Sequence, residues 1–188
     1  AKTDQQLWDA IASDFEFAAA NLPAIQPEVG RPKKSAAFAY LAKVRLYQAY
    51  EQDDNYTVTQ INPVTLQKSI DAANQVIGNY TLESDFGYNF LPGTHENGSE
   101  AVFSIQYSDN DGTLFGRLNY GDVLSLPQGL GCCDFHKPSQ NLVNAFKTNA
   151  QGLPMFDTYN DEDLDYKQLN NYKVDPRLYH TVAMPGLP

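Results

Sequence analysis

Lys33-Lys34-Ser35-Ala36-Ala37-Phe38-Ala39-Tyr40-Leu41-Ala42-Lys43-Val44-Arg45-Leu46-Tyr47-Gln48 is the stretch that decides the fold. Ala36, Ala37, Tyr40, Leu41, Val44, Tyr47 and Gln48 mark its faces at helical spacing. The alanines stand where a second helix could approach closely. The pattern predicts a helix from about Lys33 to Gln52, ended by the polar break Asp53-Asp54-Asn55.

Working outward, the residues on either side repeat the theme. Thr3 and Gln6 have capping-box spacing, in which each side chain satisfies the other's free backbone donor. Leu7, Ile11, Phe15, Ala18 and Leu22 then form one apolar face. Pro23 ends that helix because it disfavours helical geometry in the residue before it. Gly30, Arg31 and Pro32 punctuate the connection. On the far side Asn62 is a cap and Pro63 occupies the first turn, a position that suits proline. Leu66, Ile70, Ala73 and Ile77 continue as a stripe, and Gly78 closes it. The second and third helices together resemble one tetratricopeptide unit, a helix pair that cannot bury its apolar faces alone. The expectation is a mainly α chain: a tetratricopeptide-like scaffold over 1–80, then an irregular, loop-rich region of the same domain over 81–188.

In that second region only Ala101 to Tyr107 reads as a strand, Val102, Ser104 and Gln106 alternating with Phe103, Ile105 and Tyr107. At most one or two short strands are expected. Turns such as Asn97-Gly98 and Asp111-Gly112 surround it. Aromatics spread through it argue for a functional loop region rather than a disordered one. Ser139 is a cap for a fourth helix with Leu142, Val143 and Phe146 inward. The acidic run from Asp157 to Asp165 reads as exposed, and Asp175-Pro176-Arg177-Leu178 as a turn opening a short helix.

Composition narrows the function. The chain has 188 residues and a formal net charge of −10, which repels a phosphate backbone and excludes nucleic acid as a partner. No run approaches the roughly 20 apolar residues of a membrane span. There are 12 Tyr and 10 Phe against 1 Trp. Tyrosine joins a flat apolar ring to a polar tip, so it suits half-wet contact surfaces as well as outer helix packing. The opening Ala1-Lys2-Thr3 and the closing Ala183 to Pro188 lead us to expect a piece of something longer.

No catalytic motif is present: there is no Gly-x-Ser-x-Gly elbow, no phosphate loop and no motif partner for the three histidines. Cys132, Cys133 and His136 could offer metal ligands, but tetrahedral zinc wants four ligands with wider spacing. Buried thiols or a vicinal disulfide are the alternatives. Asp109-Asn110-Asp111-Gly112 is half an EF-hand loop without its closing glutamate, so a plain turn is the simpler reading. Asn55-Tyr56-Thr57, Asn79-Tyr80-Thr81 and Asn97-Gly98-Ser99 match the glycosylation acceptor pattern. No catalytic residue, metal ligand or cofactor is assigned.

Four segments, in order, resemble the SusD/RagB family of bacterial outer-membrane nutrient-binding lipoproteins. They are Gly30 to Ala37 running into Leu41 to Tyr47, Ser69 to Ile77 with Tyr80 and Leu82 behind it, Asn97 to Gln106, and Pro138 to Phe146. Gly152-Leu153-Pro154 and Asp175-Pro176-Arg177 follow. Family members are two to three times longer, so the resemblance implies a middle portion. It implies a helical scaffold with a loop-rich remainder and no catalysis. It also implies capture of glycans at the outer face of the outer membrane, with delivery to a SusC-like TonB-dependent transporter. Peptide binding within the same family, or a pure protein-interaction scaffold, are the alternatives. Ligand contacts vary among members, so no binding residue transfers by motif. Sugar rings pack a C–H face on aromatics while their hydroxyls need carboxylates and amides. Tyr107, Asp109, Asp111, Tyr120, Phe135 and His136, in the irregular region where binding residues concentrate, are therefore the candidate ligand-binding set.

Overall fold

The structure is a computed structural model and describes residues 3–107, 112 and 135–184. Asp109, Asp111, Tyr120, Cys132, Cys133 and the closing residues 185–188 lie outside the described residues. The protein is mainly helical, with short strands and long irregular connections. Two compact units make up the chain, Ala1–Gln106 and Tyr107–Pro188.

The first unit is built on α1 (Asp4–Asn21), α2 (Lys34–Ala49) and α3 (Pro63–Asn74). Thr3 and Gln6 form the expected reciprocal capping box at α1, which ends before Pro23. Asn62 caps α3 by accepting from the Val64 and Thr65 amides, with Pro63 in the first turn. α2 lies between the other two and packs against both. Early residues of α1 meet late residues of α2: Trp8 stacks with Tyr47, and Phe15 with Tyr40. The two helices are therefore antiparallel. The same logic holds for α3: its cap Asn62 donates to the Ala49 carbonyl at the end of α2, and the Ser69 hydroxyl further along donates to the Ala42 carbonyl at 2.7 Å. The core is Ala12, Leu41, Val44 and Ala72, backed by Trp8, Ile11, Phe15, Phe38 and Ala42.

Small residues occupy the closest approaches, and this turns the expected faces. Ala12 and Ala19 are buried on α1, whereas Leu7 is exposed. On α3 the buried residues are Ser69 and Ala72, while Ile70 is exposed, as is Ile77, which lies beyond the helix end at Asn74. A stripe chosen for bulk misses the seam, because backbones meet where side chains are shortest.

α2 also stops earlier than its periodicity predicts. Tyr50–Gln52 leaves the helix as strand β1 and pairs antiparallel with β2 (Val58–Ile61), with an irregularity between Glu51 and Gln52. The Asn62 amide donates to the Ala49 carbonyl at 2.8 Å and closes the base of this hairpin. Ala101 to Tyr107, the expected strand, is not one: no ladder partner lies beside it among the described residues. Its ordering comes from side chains instead. Phe103 meets Tyr40 edge-on at 6.4 Å, and Gln106 exchanges hydrogen bonds with Asn97.

The change of character after residue 80 falls inside the first unit, since 81–106 folds with the helices. Ser35 and Tyr80 hydroxyls lie 2.7 Å apart. Glu83 accepts from the Ser99 amide at 2.6 Å and hydroxyl at 2.8 Å, and that hydroxyl chiefly holds its carboxyl below the usual range. Gly30 sits at φ +87°, and a Cβ there would fall 2.6 Å from Gln106 Cγ.

In the second unit, α4 (Gln140–Asn144) is capped by Ser139 as expected, and α5 (Leu178–Thr181) follows the Asp175-Pro176-Arg177 turn. Asp175 accepts from the Arg177 guanidinium, which holds its carboxyl below the usual range. Leu164, Leu178 and Val182 form the core, with Val143 and Phe146 against it, whereas Leu142, expected inward, is exposed. Asn144 is wholly buried and fully used. Its amide donates to Asn160 at 2.8 Å and Asp163 at 3.1 Å, and its oxygen accepts from the Leu164 amide at 2.8 Å. Most of the acidic run is exposed, as expected.

Candidate functional site

Antiparallel packing brings the first turns of α1 beside the last turn of α2, where the hairpin leaves. A cleft of about 690 Å³ opens at that junction. α1 supplies Asp4, Gln5 and Trp8; α2 supplies Tyr47 and Gln48. The hairpin adds Tyr50, Glu51 and Gln52 from β1, then Asp53, Asp54 and Tyr56 from its loop.

Four rings line this cleft. Trp8 and Tyr47 stack with centroids 6.3 Å apart and planes at 27°. Tyr47 is 58% exposed although it belongs to a core helix, and Tyr56 at the hairpin tip is 84% exposed. Tyr56 also has φ +62°, a left-handed conformation that costs a bulky residue about 1–2 kcal/mol. The loop around it is tied down. Asp53 accepts from the amides of Asn55 at 2.9 Å and Thr57 at 3.0 Å, and its carbonyl takes the Tyr56 amide at 2.9 Å.

Gln48, in the lining, is fixed by a charged network between α1 and α2. Arg45, 8% exposed, donates to Glu16 at 2.6 Å and to Gln48 at 2.7 Å. Gln48 in turn donates to Asp9 at 2.8 Å, so its side chain is held in one orientation at the cleft wall. Among the described residues the lining contains carboxylates, amides, phenols and an indole, and no histidine, cysteine, serine or lysine. Aromatic faces beside acceptors and amides can hold a polar, ring-shaped ligand. They offer no activated nucleophile of the Ser–His or Cys–His kind.

Two other concavities belong to the same unit. One, of about 450 Å³, is apolar and is bounded by Phe15, Phe17, Leu22, Ala36, Tyr40 and Phe103 among others. The other, of about 250 Å³, lies along the 24–33 connection and the 101–104 segment.

Three of the residues proposed from sequence are described, and none of them belongs to the segments that form this cleft. Tyr107 is 75% exposed, and Phe135 and His136 are exposed in the second unit. Asp109, Asp111 and Tyr120 lie outside the described residues. None of the three described residues lines the ring-bearing cleft. That cleft escaped the sequence reading because its rings come from three separate segments; the tyrosine excess was the available signal. Among the described residues no group of three or more His, Cys, Asp or Glu side chains is arranged to hold a metal ion. No helix of the described residues is long and apolar enough to cross a membrane. No family model matches the chain, and no curated protein matches it in sequence.

Proposed function

We propose that this protein binds oligosaccharides without transforming them, as a cell-surface nutrient-capture protein of the SusD/RagB kind. In that role it passes glycans at the outer face of the outer membrane to a TonB-dependent transporter. The observation that carries the binding part is the cleft between α1, α2 and the hairpin. Stacked Trp8 and Tyr47 offer a platform for the C–H face of a sugar, and Gln48, Glu51 and Asp54 offer partners for its hydroxyls. The four ordered sequence segments carry the family and transport part.

A glycan array tests the reading, with Tyr47→Ala as the probe of the cleft, because Tyr47 is exposed and its loss leaves the core of Ala12, Leu41, Val44 and Ala72 in place. The expected outcome is retention of at least one glycan class. Tyr47→Ala should weaken that retention about tenfold, the ~1.4 kcal/mol that a well-packed ring contributes. Retention unaffected by the variant would move the site to the loop residues Tyr107, Phe135 and His136. No retention at all favours the second reading, a protein-interaction scaffold. One observation supports that alternative: the apolar groove beside Phe17, whose ring is 72% exposed.

A further inference from the structure

We propose that the ring-lined cleft selects its ligand by charge, accepting neutral and amine-bearing oligosaccharides and rejecting those that carry uronate or sulfate groups. The inference rests on the oligosaccharide reading of that cleft and adds the chemical class it would take.

Among the described residues the lining supplies four carboxylates, Asp4, Glu51, Asp53 and Asp54, and no lysine, arginine or histidine. Arg45, which touches the lining through Gln48, is buried and directs its guanidinium to Glu16, Gln48 and Asp9, so it does not compensate an incoming anion. A carboxylate or sulfate entering here would lose water against like charges and find no cationic partner among the described lining residues. A neutral sugar meets no such penalty, since its hydroxyls donate to the same carboxylates. A protonated sugar amine gains twice: from the carboxylates and from the negative faces of the rings. The chain's net charge of −10 acts in the same direction at longer range.

The experiment is calorimetric binding to a panel of hexamers at low and raised salt. Cellohexaose, maltohexaose and mannohexaose are the neutral probes, the glucosamine hexamer is the cationic one, and the galacturonate hexamer the anionic one. The expected result is that at least one neutral hexamer and the glucosamine hexamer bind, while the galacturonate hexamer binds at least tenfold more weakly than either. Raised salt narrows that gap. The Glu51→Gln, Asp54→Asn double variant, which removes two of the repelling charges, narrows it too, read as the ratio of neutral to galacturonate affinity in the same protein. Galacturonate binding as tight as the tightest neutral probe overturns the charge inference and leaves the oligosaccharide reading standing, as does a ranking the double variant does not alter. Failure of every probe to bind, or binding that Tyr47→Ala leaves unchanged, overturns the oligosaccharide reading of the cleft and the inference with it.

Discussion

Tyr56 holds a phenol ring in solvent on a left-handed backbone, at the tip of a five-residue turn organised by the Asp53 carboxylate. Asparagine tolerates that conformation far better, so stability alone would place a different residue there. A strained, exposed aromatic at the mouth of a cleft points to contact rather than packing. Tyr56→Asn should raise the stability of the first unit by about 1 kcal/mol and weaken oligosaccharide binding several-fold. Denaturant unfolding and calorimetry on the same preparation check the two halves together. A variant that is both more stable and equally good at binding would remove Tyr56 from the site.

At the scale of elements, caps were legible and faces only in part, best on α2, where Ala36, Ala37, Leu41 and Val44 are buried. Thr3 with Gln6, Asn62 with Pro63, and Ser139 each announce a helix start through local chemistry, and each does so in the structure. Which side of a helix is buried depends on its neighbour. α2 meets α1 and α3 through short side chains, so Ala12 and Ser69 go inside while Leu7 and Ile70 do not. The hairpin after α2 left a signal in Thr57, Val58, Thr59 and Ile61, a β-branched run beside an acidic turn. The helical periodicity of Tyr50 to Gln52 masked it. The 101–107 segment has the alternation of a strand, but alternation cannot provide a partner. Its contact with Gly30 makes a further expectation. Gly30→Ala adds a methyl 2.6 Å from Gln106 Cγ on a φ of +87°, and should destabilise the first unit by at least about 1 kcal/mol, measured by chemical denaturation.

At the scale of the whole molecule, two cores stand apart in sequence. One is Ala12, Leu41, Val44 and Ala72; the other is Leu164, Leu178 and Val182. Units with separate cores unfold as separate cooperative blocks. Scanning calorimetry should therefore resolve two transitions. Asn144→Leu, which strands the polar partners of a fully buried amide, should lower only one of them, by about 2–3 kcal/mol. A single transition that moves as a whole would show that the blocks are coupled. The mainly helical class and the sparse strands were readable from periodicity. The cleft was not, because a site assembled from the start of α1, the end of α2 and the hairpin exists only once the helices have been paired.

The hairpin tip has a practical consequence for how the protein is made. Asn55, exposed between Asp54 and Tyr56, begins an Asn-Tyr-Thr acceptor sequence on the rim of the cleft. Expression in a eukaryotic secretory host would mount a covalent sugar tree there, tethered within reach of the rings. Such material would carry its own competitor. Affinities measured on it would be lower than those of protein from a bacterial cytoplasm, and enzymatic removal of the tree would restore them.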